Sequence, residues 1–171
     1  QNPVEQVSLE DVQGFLQELN AEGGPDKAGE YKRVYALPTE AQWEYGCRAG
    51  SSKRFCFGDS DGDLGQYAWY GSNSGSETHA VGGKKANGWV LHDMHGNVWE
   101  WCQDRYGSYE TVAQTDLDPK GPGAGTSRVL RGGYWSYYPA ICRSASRDGY
   151  GPVYRISVRG VRLVVVPGAL R

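Results

Sequence analysis

The sequence predicts one domain with an α+β fold, in which two helices are followed by short strands and long loops. Its 171 residues suffice for one ordinary domain with a real core and are too few for two. Apolar residues recur at helical spacing only in the first third of the chain. After Ser51 they form short clusters separated by runs of Gly, Ser and Asp, which is typical of short strands and loops. We find no internal repeat and no linker, and therefore treat residues 1–171 as a single domain.

Both predicted helices have clear start signals. Ser8 can cap a helix over Leu9–Asn20, which a pair of glycines follows. Thr39 and Gln42 have the spacing of a capping box, which predicts a second helix over Glu40–Arg48. Two later segments have the apolar character of strands, Arg128–Arg131 and Gly160–Val166.

The amino-acid composition of the chain argues against several classes of function. The 25 Gly and 8 Pro accompany six Trp and twelve Tyr, an aromatic content that disordered chains lack, so we expect a loop-rich but packed domain. The net charge of −2 lacks the basic excess of nucleic-acid and anionic-membrane binders, so neither partner is expected. No apolar run is long enough to insert into a membrane. Residues 1–5 lack the features of a signal peptide, so we expect a cytoplasmic protein in preference to a cell-surface one.

Three simple patterns could bind metal or form disulfides. The four cysteines allow two disulfides or none, and their spacing is not that of a zinc site, so we favour reduced or partly paired thiols. Residues 59–63 (DSDGD) resemble the start of a calcium loop but lack its later glutamate, so we expect a solvated acidic turn. His92 and His95 have helical spacing for zinc but no third ligand, so zinc is not expected.

Three longer motifs carry a family resemblance. They are residues 37–45 (LPTEAQWEY), residues 93–101 (DMHGNVWEW) and residues 128–133 (RVLRGG), the last followed by Trp135 and Cys142-Arg143. In this order and at this separation the chain resembles the sulfatase-modifying-factor family, whose namesake is the formylglycine-generating enzyme. The resemblance implies a C-type-lectin-like fold over nearly the whole chain. The strand region with which the family usually begins is not found, so part of the family domain is expected to be missing.

The middle motif predicts a turn and a strand. Gly96-Asn97 favours a turn, and Trp99 and Trp101 alternate with Val98, Glu100 and Cys102 as on a strand with one aromatic face. We therefore expect both tryptophans to lie in the core.

Glu100 introduces a carboxylate into this apolar run. An unpaired buried charge is costly, so Glu100 needs a partner. In the family the matching positions bind calcium, which implies that Asp93, Glu100 and the carbonyl oxygens of Gly96 and Val98 are ligands. Such hard oxygen ligands suit Ca²⁺. The alternative is that Glu100 pairs with an arginine and Asp93 caps a turn.

The resemblance also bears on catalysis. Formylglycine-generating enzymes hold copper with two cysteines spaced C-x-x-x-x-C after the RGG motif, a chemistry that needs paired thiolates. Cys142 matches the second cysteine, but Tyr137 occupies the place of the first. We therefore expect neither copper binding nor this oxidase activity. Because no histidine base lies nearby in the sequence, Cys142 is more typical of a core residue than of a nucleophile.

Residues 134–159 have the composition of a binding surface. Apart from a frame of Trp, Pro, Cys and Arg, the segment shows neither strand nor helix periodicity. It is rich in Tyr, Ser, Gly and Asp, the types that dominate antibody paratopes. The candidate ligand-binding residues are Tyr134, Ser136, Tyr137, Tyr138, Ile141, Ser146, Asp148, Gly149, Tyr150, Gly151, Val153, Tyr154, Ile156, Ser157, Val158 and Arg159.

The same sixteen positions resemble those of a diversified protein. Variable proteins of diversity-generating retroelements use this lectin-like fold, and adenine-directed mutagenesis of their asparagine codons cannot produce Lys, Glu, Gln, Met or Trp. None of the sixteen residues is one of these types, although they make up 31 of the 171 residues of the chain. The sequence therefore predicts a binding protein whose variable surface takes a protein or other macromolecular ligand. The alternatives are an undiversified binding module and an oxidase or oxygenase of the same family.

Overall fold

In the part of the chain that the structure describes, two α-helices and six strands define the fold. The structure is a computed structural model and describes residues 1–22, 32–109 and 118–168. In chain order the elements are α1 (Leu9–Glu22), β1 (Lys32–Ala36), α2 (Glu40–Arg48), β2 (Trp99–Arg105), β3 (Arg128–Arg131), β4 (Arg147–Tyr150), β5 (Arg159–Gly160) and β6 (Val164–Gly168). This arrangement confirms the predicted α+β class. In the described part of the chain no helix is both long and apolar enough to cross a membrane.

The strands form two sheets. The larger sheet has the order β4-β3-β2-β5, in which β3 is antiparallel to both β4 and β2, and β5 is parallel to β2. The smaller sheet pairs β1 with β6 in antiparallel register. Because β4 and β5 are the two edge strands of the larger sheet, they attach the middle and the end of the 134–159 region to one scaffold.

The two faces of the larger sheet pack against different helices. On one face Trp99, Trp101 and Leu130 form a buried cluster with residues of α1. On the other face Cys102 and Val129 pack with residues of α2. Strand alternation produces this division, because neighbouring side chains of β2 point to opposite faces. The prediction that both tryptophans are core residues is confirmed, with Trp101 fully buried.

Local capping explains where the helices begin. The Thr39 hydroxyl accepts a hydrogen bond from the Gln42 backbone N–H, and the Gln42 side chain accepts one from Thr39, which is the predicted capping box. At α1, Ser8 exchanges equivalent bonds with Asp11. The second helix has its predicted bounds, whereas α1 extends two residues beyond Asn20.

One predicted strand is wrong in its extent. We expected Gly160–Val166 to be continuous, but the chain leaves the larger sheet after Gly160 and enters the smaller one at Val164. Between them Arg162 turns its guanidinium to the Glu100 carboxylate, with both nitrogen–oxygen distances at 2.8 Å. This ion pair fixes the crossing point between the sheets.

The acidic turn, the two histidines and the cysteines singled out in the sequence have polar protein partners or are buried in the structure. Asp59 and Asp61 are exposed and form ion pairs with Lys53 and Arg54, as expected for a solvated acidic turn. His95 is buried and faces Cys56, whereas His92 faces the Lys84 carbonyl. All four cysteines are free. Within the described residues, no cluster of three or more His, Cys, Asp or Glu side chains could hold a metal ion.

Candidate ligand-binding surface

Two arginine side chains fix the position of the middle of the 134–159 segment. Arg131 of β3 is fully buried and donates to the carbonyls of Ser144 and Ser146, at 3.0 and 2.7 Å. Arg147 of β4 forms a bidentate pair with Glu40 of α2, at 2.7 and 2.6 Å, and also donates to the Gly107 carbonyl. Bidentate arginine pairs add geometric specificity, so this part of the backbone has a defined position.

Backbone contacts fix the rest of the segment. The Trp135 N–H donates to the Asn97 carbonyl, and the Tyr137 carbonyl accepts from Gly71. Further along, the Pro152 carbonyl accepts from Leu9 at the start of α1, and the Val158 carbonyl accepts from Trp99. These partners lie outside the segment, and backbone groups do not depend on side-chain identity. The scaffold therefore holds the course of the segment without using most of its side chains.

The candidate ligand-binding residues divide by exposure. Two of them, Ser146 and Arg159, are buried. Six are half-buried: Tyr134, Tyr137, Ile141, Gly149, Gly151 and Val158. The remaining eight are exposed: Ser136, Tyr138, Asp148, Tyr150, Val153, Tyr154, Ile156 and Ser157. The segment thus presents exposed aromatic and aliphatic side chains, which are characteristic of interaction surfaces.

Aromatic contacts organise five tyrosines of the segment into two groups. Tyr134, Tyr137 and Tyr138 form a chain of neighbouring rings, with centroid distances of 5.3 and 4.7 Å. Partial burial raises the pKa of Tyr134, and the negative Asp148 adds to this effect. Tyr150 and Tyr154 form an edge-to-face pair at 5.5 Å. Rings that support one another in this way lose little entropy on binding.

A shallow cleft lies beside the first aromatic group. It has a volume of about 340 Å³ and is lined by Tyr70, Gly71 and Ser72 on one side and by residues 136–139 on the other. Gly71 is required there, because a Cβ would lie 2.9 Å from the Tyr137 carbonyl oxygen. Sequence reasoning placed the whole surface in residues 134–159 and missed this contribution from residues 70–72.

There is no room for a side chain at Gly149. An added Cβ would lie 2.6 Å from Cδ1 of Tyr106, so Tyr106 would have to move. Gly149 therefore contributes backbone but has no room to present a side chain in this structure. Strand alternation gives the reason, because Gly149 faces α2 together with Arg147, whereas Asp148 and Tyr150 face the other side.

The predicted calcium ligands lie around one cavity. Asp93, Gly96, Val98 and Glu100 all line a cavity of about 570 Å³, and Arg162 lines it as well. One carboxylate oxygen of Asp93, Oδ1, is buried and has no hydrogen-bond partner among the described residues. An unsatisfied anionic oxygen beside further oxygen donors has the chemistry of a calcium site.

The alternative partners for these residues are also present. Glu100 pairs with Arg162 and accepts a 2.6 Å hydrogen bond from the Trp43 indole. The other oxygen of Asp93, Oδ2, accepts from the Gly82 backbone N–H at 2.7 Å. Carboxylate and carbonyl oxygens are the donor types that calcium takes. Because both Glu100 oxygens accept hydrogen bonds from Arg162, a bound ion would compete with that guanidinium.

The cysteine that matches the family's second catalytic position is inaccessible. Cys142 is fully buried, and burial raises the pKa of its thiol to about 12. The His95 ring faces the Cys142 carbonyl, with Nδ1 2.7 Å from that oxygen. The side chain of Tyr137, at the other position, is half-buried on the edge of the cleft.

Comparisons with known proteins give the same family and fold as the sequence motifs. The model of the Sulfatase-modifying factor enzyme 1-like domain matches residues 1–166. The formylglycine-generating enzyme of Streptomyces coelicolor is 36% identical over 131 residues, covering 68% of this chain and 42% of that protein. The serine/threonine-protein kinase pkn1 of Chlamydia caviae is 40% identical over 129 residues, covering 74% of this chain and 20% of that protein. The chain thus spans less than half the length of either relative.

A solved structure is similar over most of the chain. Variable protein 1 of Treponema denticola superposes with a TM-score of 0.83 and 31% identity, covering 95% of this chain and 70% of that one. The similarity confirms the predicted C-type-lectin-like fold and the predicted likeness to variable proteins.

Proposed function

Because the chain belongs to the sulfatase-modifying factor family, we propose that it is a non-catalytic branch of that family and binds a protein ligand through the 134–159 segment. On this proposal the segment is a diversified surface of the retroelement type. The lectin-like scaffold holds its backbone, and the exposed side chains make contact with the ligand.

The observation that carries the proposal is the separation of backbone and side-chain roles. The segment is held by Arg131, Arg147 and a series of backbone hydrogen bonds, whereas Tyr138, Val153 and Tyr154 are more than half exposed. Large exposed side chains are unfavourable for a structural loop and useful for binding. The similarity to a variable protein supports the same function.

A display experiment tests this function. The eight exposed candidate positions are randomised with codons derived from asparagine, and the library is selected against a fixed panel of purified proteins. The matched control randomises eight exposed positions elsewhere, residues 52–54 and 59–63. We expect binders to several panel proteins from the first library and at least tenfold fewer from the second. Equal yields would contradict the proposal.

The genome supplies an independent test of diversification. We expect a reverse transcriptase gene beside the coding sequence, together with a repeat in which the exposed positions are asparagine codons. A neighbourhood without either feature would favour the undiversified binding module.

We also propose that the domain is inactive as an aldehyde-forming oxidase. Tyr137 cannot supply a thiolate, and Cys142 is buried with a raised pKa. The protein is incubated with copper, oxygen and a cysteine peptide of the sulfatase type, and the peptide mass is expected to stay unchanged. The variant Tyr137→Cys should also be inactive, because Cys142 remains buried. Formylglycine in the product would support the oxidase alternative.

Calcium is proposed as a stabilising ion of the scaffold. Asp93 and Glu100 would hold it together with the carbonyls of Gly96 and Val98, and the ion would balance the unpartnered Asp93 oxygen. Because a ligand of the native state stabilises it by mass action, Ca²⁺ should raise the melting temperature of metal-free protein. Asp93→Asn should abolish that rise. A melting curve that is indifferent to both Ca²⁺ and EDTA would refute the proposal.

A further inference from the structure

One buried arginine of the 134–159 segment lacks an anionic partner. Arg159 is only 4% exposed, yet its Nη1 has no hydrogen-bond partner among the described residues. Within the described ranges, no carboxylate forms an ion pair with Arg159. By contrast, a carboxylate pairs with each of four other arginines: Arg131, Arg147, Arg155 and Arg162. A buried charge without a partner is unfavourable, so its presence requires an explanation.

Aromatic rings from two other strands enclose the guanidinium. Its carbon lies 3.4 Å from the centroid of the Tyr150 ring and 5.8 Å from that of Trp101. Arg159 comes from one edge strand of the larger sheet and Tyr150 from the opposite edge, so the two side chains meet across the sheet face. The rings stabilise the positive charge, but they cannot accept hydrogen bonds from the guanidinium N–H groups. Those groups lie in the plane of the guanidinium and point away from a ring that is stacked on it.

The cover over Arg159 is movable. Tyr150 is 39% exposed, and Tyr154, whose ring contacts that of Tyr150, is 57% exposed. Rotation of an exposed side chain takes picoseconds to nanoseconds. A ligand group can therefore reach the guanidinium when the Tyr150 ring turns aside.

We propose that Arg159 is an anion-binding residue of the ligand surface and takes the carboxylate of an acidic side chain from a protein ligand. The inference rests on the proposed binding function. A carboxylate matches the planar fork of arginine and would satisfy the donor that has no partner in the free protein. Tyr150 and Tyr154 then flank the bound group and exclude water from the pair. Asp148 shares this sheet face, so it repels an incoming carboxylate.

The test uses a fluorescein-labelled hexaglutamate peptide, with hexaglutamine as its neutral match. Binding is measured by fluorescence anisotropy at low and moderate salt. We expect hexaglutamate to bind, Arg159→Gln to weaken it at least tenfold and Asp148→Asn to strengthen it about twofold. The matched control is Arg155→Gln, because Arg155 is exposed and already paired with Asp11, and this variant should change binding by less than twofold.

A second measurement protects the test against misfolding of the Arg159 variant. In wild-type protein with ¹⁵N-labelled arginine, hexaglutamate should shift the Nε resonance of Arg159. The proposal is wrong if hexaglutamate does not bind, if it binds no better than hexaglutamine, or if it binds without moving that resonance. It is also wrong if inorganic phosphate moves the resonance and hexaglutamate does not. None of these results changes the outcome of the library selection, so the selection tests the proposed function independently.

Discussion

Arg147 and Arg155 allow a test of which residues of the segment stabilise the fold, as its structural frame, and which only form its exposed surface. Both arginines form bidentate pairs, Arg147 with Glu40 and Arg155 with Asp11. The first pair is largely buried, with side-chain exposures of 15% and 6%, whereas the second has exposures of 62% and 34%. Replacing each arginine with alanine therefore removes the same kind of contact from two different environments.

The expected losses differ severalfold. Removing one partner of a buried ion pair costs about 3–5 kcal/mol, because the other charge is left buried. Glu40 would keep its 3.0 Å hydrogen bond from Tyr109 and a more distant contact with Arg131, so we expect about 3 kcal/mol for Arg147→Ala. The exposed pair is worth at most about 1 kcal/mol, which sets the limit for Arg155→Ala.

Guanidinium unfolding followed by tryptophan fluorescence measures both free energies of unfolding. For a domain of this size, about 3 kcal/mol corresponds to a fall of roughly 6–12 °C in melting temperature, which a thermal scan should reproduce. A loss below about 1 kcal/mol for Arg147→Ala, or equal losses for the two variants, would refute the assignment of Arg147 to the structural frame.

Three further predictions follow from burial. Tyr138→Ala and Tyr154→Ala should each change the free energy of unfolding by no more than about 0.5 kcal/mol in the same assay, because both rings are mainly exposed. Gly149→Ala should cost about 1–3 kcal/mol through its clash with Tyr106, whereas Gly14→Ala, which meets nothing within 4 Å, should be neutral or stabilising. Ellman's reagent should count four thiols in unreduced, denatured protein and far fewer in native protein at pH 8. The native count should be low because buried thiols react poorly, and burial raises the pKa of Cys142, for example, to about 12. A count of two or fewer after denaturation would show that disulfides are present.

Local signals predicted the helices to within two residues. The capping box at Thr39 and Gln42 is complete within four residues, so the sequence contains everything that starts α2. The strand Arg128–Arg131 is likewise confirmed with its predicted bounds. Each of these elements is specified by its own residues.

Elements that depend on distant partners were missed or misjudged. β1 was missed because its strand-favouring residues are too few to form a pattern, whereas β4 has no strand signal of its own and forms because it pairs with β3. The break between β5 and β6 depends on Glu100, which is 62 residues away from Arg162 in the sequence. Long-range pairing leaves no trace in a local pattern, so sequence reasoning could not find these features.

The same distinction explains which positions of the segment can vary. A side chain that faces solvent leaves unchanged the backbone hydrogen bonds that the segment donates to Asn97 and accepts from Gly71 and Leu9, so many residue types fit there. Positions that face the sheet are restricted by neighbours from other strands, as Gly149 is by Tyr106 and Arg159 is by Trp101. Sequence reasoning grouped all sixteen positions by composition alone. The structure divides them, and diversification that preserves the fold should therefore concentrate on the eight exposed side chains.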